Sequence, residues 1–451
     1  MLKHTISKQA IFVPPLNPFT RMNKRPSYQI IFLTKTLCCC LLLLLSSASS
    51  MAQDTLEQKV VGRKNIPAQI NKPYVILISA DGFRYDYADK FNATHLKQMR
   101  KKGIQASSMI PSYPSVTFPN HYTIATGLYP SHHGLVYNQF YDRAKKDAYS
   151  MGARNTVEDP FWYGGTPLWV LAEQQGMVSA TNMFVGSEAP IQGSLPTYWY
   201  RYTEKIPLKN RIQKVVDWLQ LPDTVRPHLI TFYMSEVDHE GHDFGPDAKE
   251  TADAVRLVDN AMQELTSKVD ALGLPVHYVF VSDHGMAMVD TVTRININDL
   301  VDTSQFIAKG GGTSLHLYAK DSGFIQPTYL QLKAKENGFT VYKRADIPAA
   351  WKYNANEDRF NRIGDLMIVS TFPKVLSWRG HIKPGAHGFD PAIKDMHAVF
   401  YAWGPGIKKG KKINAFENVH VYPFIASLLG LNITDKIDGD VEVLGKYLEK
   451  K

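Results

Sequence analysis

Four stretches of the chain are apolar at nearly every position, which predicts buried strands. Because odd and even positions are apolar alike, each strand is expected to have helices packed on both faces, as in a parallel sheet. Between the strands, apolar residues recur with a helical period. The predicted strands span residues 74–79, 228–234, 276–281 and 398–403, and the predicted helices span 166–175, 211–219 and 249–272. This alternation predicts an α/β fold with a mostly parallel central sheet flanked by helices.

Acidic residues and histidines follow directly after three of these strands. In open α/β sheets ligands bind outside the carboxyl ends of the strands, so we expect the side chains to converge there. Three carboxylates and three imidazoles suit zinc or manganese, and six ligands can hold two ions that clamp the attacking and leaving oxygens of a phosphoryl displacement. The candidate ligands are Asp81, Asp238, His242, Asp283 and His284 after the strands, and His387 from the later segment Gly385-Ala386-His387-Gly388.

Each of these candidates also has a simpler interpretation. Asp81 before Gly82 would fit a plain turn. Asp238 and His242 would share one face of a helix, but Gly241 and Gly245 favour a loop. The occurrence of all these candidate ligands together, rather than any one of them, indicates a metal site. The other histidines are expected to be surface or supporting groups; they include His132, His133, His239 and His397.

A hydroxyl at the start of a predicted helix is the candidate nucleophile. Thr117 has N-cap character, Pro119 falls in the first turn, and Gly127 can end the helix. Backbone N–H groups at a helix N-terminus favour phosphate, although a plain N-cap accounts for this threonine equally well. A zinc ion would lower the pKa of the hydroxyl, so no separate general base would be required.

The sequence also predicts how the chain is organised. Between residues 291 and 380 the runs become shorter and mixed around Gly310, Gly311 and Gly312, which indicates a small inserted α+β cap. Residues 53–72 are polar and irregular, which is typical of a linker. The expected organisation is a signal peptide at 1–52, a linker at 53–72, a catalytic core at 73–290 and 381–451, and the cap at 291–380.

The first 52 residues are typical of an export signal. They contain six basic and no acidic residues, then an apolar run that begins near Cys38, Cys39 and Cys40, then small residues that suit cleavage. The full chain carries a net charge of +9, which falls to about +3 without this leader, and the remainder has no cysteine. We therefore expect a bacterial protein exported to the periplasm. An uncleaved membrane anchor is the lesser alternative, and specific binding of duplex nucleic acid is not expected.

Several ordered motifs resemble one known family. They are Asp81-Gly82-Phe83-Arg84, Thr117-Phe118-Pro119-Asn120-His121-Tyr122, Asp238-x-x-x-His242, Asp283-His284-Gly285-Met286 and Gly385-Ala386-His387-Gly388. Together they resemble the nucleotide pyrophosphatase/phosphodiesterase family of the alkaline-phosphatase superfamily, over nearly the whole chain after the leader. The resemblance implies two zinc ions per chain and a phospho-threonine intermediate on Thr117.

The resemblance also implies roles for individual residues. One zinc would be held by Asp238, His242 and His387, and the other by Asp81, Asp283, His284 and the Thr117 oxygen. Asn138 and the Phe118 backbone N–H would contact the phosphate. Phe118 and Tyr233 would sandwich a nucleobase, and Tyr200, or its neighbours Tyr198 and Trp199, would complete that wall.

The implied activity is hydrolysis of nucleotide phosphodiesters or phosphoanhydrides with release of a nucleoside monophosphate. Residues 110–128 carry no positive charge, which favours a diester over a monoester. Other substrates stay open: a lysophospholipid or choline phosphodiester, a phosphonate or a phosphomonoester. The alternative without catalysis is a periplasmic protein that binds metal or phosphate. The oligomeric state is not predicted.

Overall fold

A nine-stranded sheet forms the centre of the described part of the chain, residues 56–449 of the computed structural model. We number its strands along the chain. They are β1 (Gln58–Lys59), β2 (Tyr74–Ala80), β3 (Ile104–Ala106), β4 (Ser179–Asn182), β5 (Tyr198–Trp199), β6 (Leu229–Met234), β7 (Val276–Val281), β8 (Phe400–Trp403) and β9 (Lys411–Ile413). Their order in the sheet is β1-β5-β4-β6-β2-β7-β8-β3-β9.

The sheet is mixed rather than uniformly parallel. Strands β5, β4, β6, β2 and β7 run parallel to one another, which confirms the predicted α/β core. The prediction that 398–403 joins this parallel set is wrong, because β8 runs antiparallel to β7. The pairing of Val281 with Phe400 shows the reason. The chain returns to the sheet beside the carboxyl end of β7, so β8 has to run in the direction opposite to β7.

Helices cover both faces of the sheet. The longer ones are α1 (Thr94–Met99), α2 (Thr117–Thr126), α3 (Leu168–Gln174), α4 (Leu208–Leu219), α5 (Glu236–Phe244), α6 (Lys249–Asp270), α7 (Ile325–Ala334) and α8 (Val421–Leu429). The three predicted helices are confirmed as α3, α4 and α6. Val75 and Leu77 of β2 pack into the core under α2, α3 and α8, whereas Ile76 and Ile78 pack under α1, α4 and α6. This alternation is expected for a strand buried on both faces.

A second, smaller sheet lies within the segment predicted as an inserted α+β cap. Its four strands are all antiparallel, in the order Phe306–Gly311, Ser314–Ala319, Leu366–Ser370 and Phe339–Lys343. The sheet and α7 share a separate apolar core that includes Leu315, Leu317 and Ile368. The boundaries of the cap stay a prediction.

The segment predicted as a linker contacts the core at particular residues, although most of its described residues are exposed. Its strand β1 pairs with β5 at the edge of the sheet. The side chain of Asn65 is buried, donates to the carbonyls of Asp223 and Arg226 at 2.8 Å and accepts from Val178 N–H. Polar residues there satisfy backbone groups of the core, which composition alone does not distinguish from a solvated linker.

The predicted signal peptide lies outside the described residues. From residue 56 to residue 449, no helix is long and apolar enough to cross a membrane.

Candidate active site

Two carboxylates and an imidazole meet beside the ends of β2 and β7. Asp81 follows β2, and Asp283 and His284 follow β7; the pairing of Ser79 with Val281 brings these segments off the sheet at the same level. His284 Nε2 lies 3.5 Å from Asp81 Oδ1 and 2.9 Å from Asp283 Oδ2. All three side chains are at most 2% exposed. We call them the buried ligand group.

A second set of ligands lies next to the first. Asp238 and His242 are on α5, and His387 follows a short strand, Gly385–Ala386, that pairs with Ala287–Met288. Asp238 Oδ1 lies 3.5 Å from the Nε2 atoms of both histidines. The ring of His387 stacks on that of His284 with centroids 3.5 Å apart, which joins the two sets. We call Asp238, His242 and His387 the outer ligand group, since His242 is 28% exposed.

The prediction of a loop for Asp238 and His242 is wrong, because both lie on helix α5. The two glycines that favoured a loop serve close packing and the end of the helix. Gly241 packs so closely on the following ligand segment that a Cβ on Gly385 would lie 1.9 Å from the Gly241 carbonyl oxygen. Gly245 follows the last helical residue with a φ of +95°, so it ends the helix. The four-residue spacing therefore does place both ligands on one helix face.

The three histidines share one orientation. Each lies with Nδ1 in hydrogen-bonding distance of a backbone carbonyl, which places the proton on Nδ1 and leaves Nε2 as a lone pair directed inward. The distances to the carbonyls of Gly385, Gly285 and Ser115 are 2.8, 2.9 and 2.9 Å for His242, His284 and His387. This is the tautomer that a metal-ligating histidine needs.

The three carboxylates each keep one buried oxygen without a hydrogen bond. These atoms are Asp81 Oδ1, Asp238 Oδ1 and Asp283 Oδ2, the same oxygens that face the histidine Nε2 atoms. A buried carboxylate oxygen without a partner costs free energy unless a cation or donor satisfies it. The donor atoms form two groups, and within each group all atoms lie within 4.8 Å of one another. One group comprises Asp81, Asp283 and His284, and the other Asp238, His284 and His387. Their chemistry, oxygen and imidazole nitrogen without sulfur, fits zinc.

Burial and neighbouring charges shift the pKa values of the site in opposite directions. Burial, together with the charges of Asp283 and Asp238, raises the pKa of Asp81 well above its usual range. Burial also opposes ionisation of Asp283, but the neighbouring His284 and His121 prevail and lower its pKa. Burial, followed by the charges of His284 and His242, lowers the pKa of His387 well below its usual range, which keeps this ring neutral. Three carboxylates in so small a volume require positive charge.

Thr117 lies between these ligands and the helix that it begins. It is the first residue of α2, preceded by Val116 as the N-cap, and its hydroxyl does not cap the helix, contrary to the predicted N-cap role. Instead, Oγ1 lies 3.3 Å from His284 Nε2. The hydroxyl therefore faces the candidate ligand atoms and does not cap the helix, the structural role that could have accounted for it.

His121, one turn further along α2, is a buried residue that the sequence did not single out for the site. Its Nδ1 lies 3.0 Å from the Thr117 carbonyl and 3.3 Å from Asp283 Oδ2, and its Nε2 lies 2.8 Å from Ser79 Oγ. It thus fixes the first turn of α2 against β2 and against the carboxylate of Asp283. The four-residue spacing from Thr117 was the available signal.

The contact between Asn138 and Phe118 differs from the predicted one. The two were expected to act as a pair of donors to phosphate, but the Phe118 backbone N–H donates to Asn138 Oδ1 at 3.0 Å. This bond occupies the Phe118 N–H and fixes the orientation of the Asn138 side-chain amide. Nδ2 of Asn138 is therefore the donor of this pair that is directed away from the bond and can contact a phosphate.

A cavity of about 470 Å³ opens beside Thr117 and the carboxylates. Phe118 and Tyr233, both predicted for the nucleobase, line it. Tyr233 has an additional role, because its hydroxyl donates to Asp81 Oδ2 at 2.6 Å. Tyr200 does not line this cavity; it packs against Trp218 in the core, and Tyr202 takes the predicted place in the wall.

Other residues of the cavity wall were not predicted. Arg154 lies just after the hairpin of strands Gln139–Asp142 and Asp147–Ser150, and Glu188 lies in the loop after β4. Glu188 Oε1 accepts from Tyr202 N–H at 3.1 Å, and burial raises the Glu188 pKa to about 7. Such residues come from loops whose positions only the tertiary fold defines.

The histidines expected to be surface or supporting groups lie mostly away from the ligands. His132 bridges Asp438 and Glu357, and His397 contacts Ser108. His239 is different, because it lines the cavity although half of it is exposed.

Comparison with known proteins links the chain to one family. A family model described as type I phosphodiesterase / nucleotide pyrophosphatase matches residues 75–390. Venom phosphodiesterase CdcPDE of Crotalus durissus collilineatus is 33% identical over 383 residues, which cover 82% of this chain and 46% of the venom protein. Ectonucleotide pyrophosphatase/phosphodiesterase family member 1 of Mus musculus is 31% identical, with 85% of this chain and 43% of the mouse protein covered. The chain thus spans less than half the length of these relatives.

A shorter relative and solved structures match more completely. An uncharacterized pyrophosphatase/phosphodiesterase of Schizosaccharomyces pombe is 33% identical, with 82% of this chain and 80% of the yeast protein covered. The structure of murine ectonucleotide pyrophosphatase / phosphodiesterase 5, inactive and in complex with AMP, superposes with a TM-score of 0.78 at 27% identity and covers 84% of this chain and 100% of the murine one. The human counterpart superposes with a TM-score of 0.79 at 26% identity.

Proposed function

The chain belongs to the type I phosphodiesterase / nucleotide pyrophosphatase family, and we propose that it is a two-zinc nucleotide phosphodiesterase with Thr117 as its nucleophile. One observation carries the proposal: the Thr117 hydroxyl lies 3.3 Å from His284 Nε2, beside buried carboxylate oxygens that accept no hydrogen bond. Asp81, Asp283 and His284 would hold one ion with Thr117, and Asp238, His242 and His387 the other. When bound, the ions would supply positive charge to the phosphate oxygens and lower the pKa of the attacking hydroxyl.

The protein groups have separate tasks in the reaction. The Thr117 hydroxyl gives up its proton to solvent and its oxygen forms a bond to phosphorus. The bond from phosphorus to the leaving oxygen breaks, and the leaving group departs with the electron pair. Nδ2 of Asn138 donates to a phosphate oxygen as charge develops there. Water then forms a bond to phosphorus and the bond from phosphorus to the Thr117 oxygen breaks. The Thr117 oxygen keeps the electron pair and takes up a proton from the water, and a nucleoside monophosphate is released. His121 holds the first turn of α2, and with it the nucleophile, against Asp283 throughout.

The substrate class follows from the cavity beside Thr117. Its volume of about 470 Å³ is sufficient for a nucleoside, and Phe118, Tyr202 and Tyr233 supply aromatic surface for a base. A murine family member is described in complex with AMP, which supports a nucleotide here. Export through the leader, to the periplasm if the source is a bacterium, is part of the same proposal.

A panel of chromogenic esters tests the substrate class. The purified protein loaded with zinc is assayed with nitrophenyl-dTMP, bis-nitrophenyl phosphate, nitrophenyl phosphate and nitrophenyl phosphorylcholine. We expect the highest kcat/KM for nitrophenyl-dTMP. Preference for nitrophenyl phosphate would indicate a monoesterase, and preference for the choline ester a phospholipid-type substrate. Binding of phosphate without turnover of any ester would indicate a binding protein.

Metal analysis tests the cofactor separately. We expect about two zinc ions per chain, as a two-ion site requires. One ion or none would contradict the assignment of the two ligand groups.

A further inference from the structure

Three segments rich in lysine meet at one edge of the central sheet. β9 is the last strand of the sheet and pairs with β3. The backbone N–H of Lys411 donates to the carbonyl of Gly103 at 3.1 Å, which joins the loop before β9 to the turn before β3. The backbone N–H of Lys408 donates to the carbonyl of Tyr447 at 3.0 Å, and its Nζ donates to the carbonyl of Lys446 at 2.8 Å. We call the surface formed by residues 100–103, 406–412 and 446–449 the lysine edge.

The lysine edge carries charge of almost one sign. Glu449 is the only acidic residue in its three segments. Arg100 is paired with Asp89 at 2.7 Å, whereas none of the lysines forms an ion pair within the described part of the chain. The chain without its leader carries only about +3, so the rest of it has a net negative charge and the basic residues are concentrated here. They are Arg100, Lys101, Lys102, Lys408, Lys409, Lys411, Lys412 and Lys446.

Protection of the sheet edge explains only part of this charge. Lysines on an edge strand discourage pairing with a strand of another molecule. Lys411 and Lys412 lie on β9 and can serve this purpose. Lys101 and Lys102 lie in the turn before β3, and Lys409 lies in the loop before β9, all three exposed. These three are outside the edge strand, so edge protection does not account for them.

The lysine edge and the candidate active site lie at opposite ends of the sheet. β9 runs parallel to β3, and both β3 and β7 run antiparallel to β8, so β3, β7 and β9 share one direction. The lysines precede or begin β3 and β9 and therefore lie at the amino ends of these strands. Asp81 and Asp283 follow the carboxyl ends of β2 and β7. A partner bound to the lysine edge would thus leave the active site uncovered.

The cavity beside the lysine edge does not suit a small anion. It has a volume of about 330 Å³, and its wall includes Arg100 and Lys412. Asp86 and Asp89 line the same cavity, and Asp89 neutralises Arg100. A phosphate site would instead present unpaired cations and donors. The lysines are therefore available to an extended anionic surface rather than to a single bound anion.

The lysine edge also lacks the stacking surface that single-stranded nucleic acid uses. Proteins that bind such strands combine a basic groove with aromatic rings on which bases stack. Tyr447 is the one aromatic residue in the three segments. It is half-buried against the core, and Lys446 Nζ lies over its ring at 5.4 Å from the centroid. Charge without a free aromatic face suits lipid headgroups better.

We propose that the lysine edge binds the anionic headgroups of a lipid bilayer and docks the protein on a membrane with its active site facing away from the lipid. Each lysine near an anionic bilayer is attracted to it, and the attraction falls off within a Debye length. The docking is therefore peripheral and depends on salt. It goes beyond the proposed function and does not require it, because it is measured as binding.

Sedimentation with vesicles tests the docking. The purified protein, freed of unbound zinc, is mixed with vesicles of phosphatidylcholine alone or with about 30 mol% phosphatidylglycerol, in about 0.1 M and about 1 M salt. We expect binding only to the vesicles with phosphatidylglycerol and only at the lower salt concentration. The triple variant Lys101→Glu, Lys102→Glu, Lys409→Glu should bind these vesicles about tenfold more weakly or less, since three attractive charges become repulsive.

A second triple variant is the matched control. Lys146→Glu, Lys209→Glu, Lys335→Glu changes the net charge equally at exposed positions of other elements, and it should bind as wild type does. Equal binding to both kinds of vesicle, or equal affinities of the two triple variants, would overturn the proposal.

An oligothymidylate distinguishes nucleic acid from lipid as the partner. Its binding is measured by fluorescence anisotropy with Thr117→Ala, so that the strand is not cleaved. We expect weaker binding than to the vesicles with phosphatidylglycerol. Tighter binding that the lysine substitutions abolish would assign the lysine edge to nucleic acid and overturn the proposal. A wild type inactive on nitrophenyl-dTMP would contradict the proposed function and would leave the vesicle result standing.

Discussion

The Nε2 atoms of His242 and His387 lie 3.0 Å apart, and the Nδ1 atom of each ring lies within hydrogen-bonding distance of a backbone carbonyl. In the tautomer that these carbonyl contacts favour, the proton of each neutral ring is on Nδ1 and the two Nε2 lone pairs face each other. A cation between them removes this repulsion. We therefore expect His387→Ala to lose one of two zinc ions, measured by metal analysis of the purified protein, while Asp438→Ala, at a distant histidine contact, keeps both.

Metal binding should also stabilise the fold. Zinc at 100 times its dissociation constant should raise the free energy of unfolding by about 3 kcal/mol, because the folded chain binds it and the unfolded chain does not. Thermal denaturation with zinc and with chelator measures the difference. A melting temperature that does not depend on zinc would contradict the ligand assignment.

Thr117→Ala should abolish turnover without disturbing the ligands. We expect kcat to fall by about a thousandfold or more, since the nucleophile is removed. Thr117→Ser keeps a hydroxyl and should retain measurable activity. Acid quenching of wild type with a nucleotide labelled at the α-phosphate should trap label on the protein, and Thr117→Ala should trap none. Label on the alanine variant would place the nucleophile elsewhere.

The central sheet and the ligands could be predicted because their signals are local. The apolar runs that precede Asp81, Asp238 and Asp283 predict both a strand and the residue at which it ends. Parallel strands end at the same edge of a sheet, so these residues are expected to lie close together whatever the strand order. The direction of β8 could not be predicted, since it depends on where the chain returns to the sheet after the cap. The helix at Asp238 was missed because Gly241 reports close packing that only the fold reveals.

The cavity wall shows the limit of the same approach. Tyr200 and Tyr202 are two residues apart, so strand alternation places both on the same face and does not tell which one lines the cavity. Tyr200 packs against Trp218 of α4 in the core. Glu188 lies in a loop of no regular period. The contact of Phe118 N–H with Asn138 was missed for another reason, because the resemblance names phosphate contacts and does not give the geometry between the two residues that make them.

Tyr233→Phe should weaken metal binding more than it changes the chemistry. Its hydroxyl donates to Asp81 Oδ2 at 2.6 Å and so orients the other oxygen toward the ligand histidine. Loss of such a supporting hydrogen bond typically costs about 10-fold or more in metal affinity. Zinc titration in a competing chelator measures this. Tyr202→Phe, whose hydroxyl bonds Glu204, is the matched control and should bind zinc as wild type does. Equal affinities in all three proteins would rule out the role.

Glu188 should make base recognition depend on pH near neutrality. Burial raises its pKa to about 7, so the carboxyl is protonated below this pH and ionised above it. The ionised form accepts hydrogen bonds from the adjacent N–H groups of guanine. We expect KM for a guanine nucleotide ester to fall between pH 6 and pH 8.5 relative to that for an adenine ester. Glu188→Gln should remove this dependence, and Glu158→Gln, which pairs with Arg201, should not. An unchanged pH profile in Glu188→Gln would contradict the assignment.

His316 should make the fold sensitive to acid independently of the metal. The ring is fully buried in the cap, it accepts from Gly364 N–H, and burial followed by the charge of Arg143 lowers its pKa to about 3. The unfolded chain binds a proton near pH 6.5 and the folded chain does not, so the unfolded state holds more protons and stability rises with pH. The fold therefore begins to lose stability below about pH 6.5, and this loss continues down to about pH 3.

The size of this effect can be measured by substitution. Because one pH unit corresponds to about 1.4 kcal/mol, titration of His316 should lower the free energy of unfolding at pH 5 by roughly 2 kcal/mol relative to pH 7.5. His316→Gln removes the titration, so the difference in free energy of unfolding between the variant and wild type should shift by that amount in favour of the variant as the pH falls. Chemical denaturation in chelator at both pH values gives the numbers, because metal release then contributes to neither. His381→Gln, at an exposed position, should give a curve parallel to wild type; a parallel curve for His316→Gln would show that the buried ring does not resist protonation.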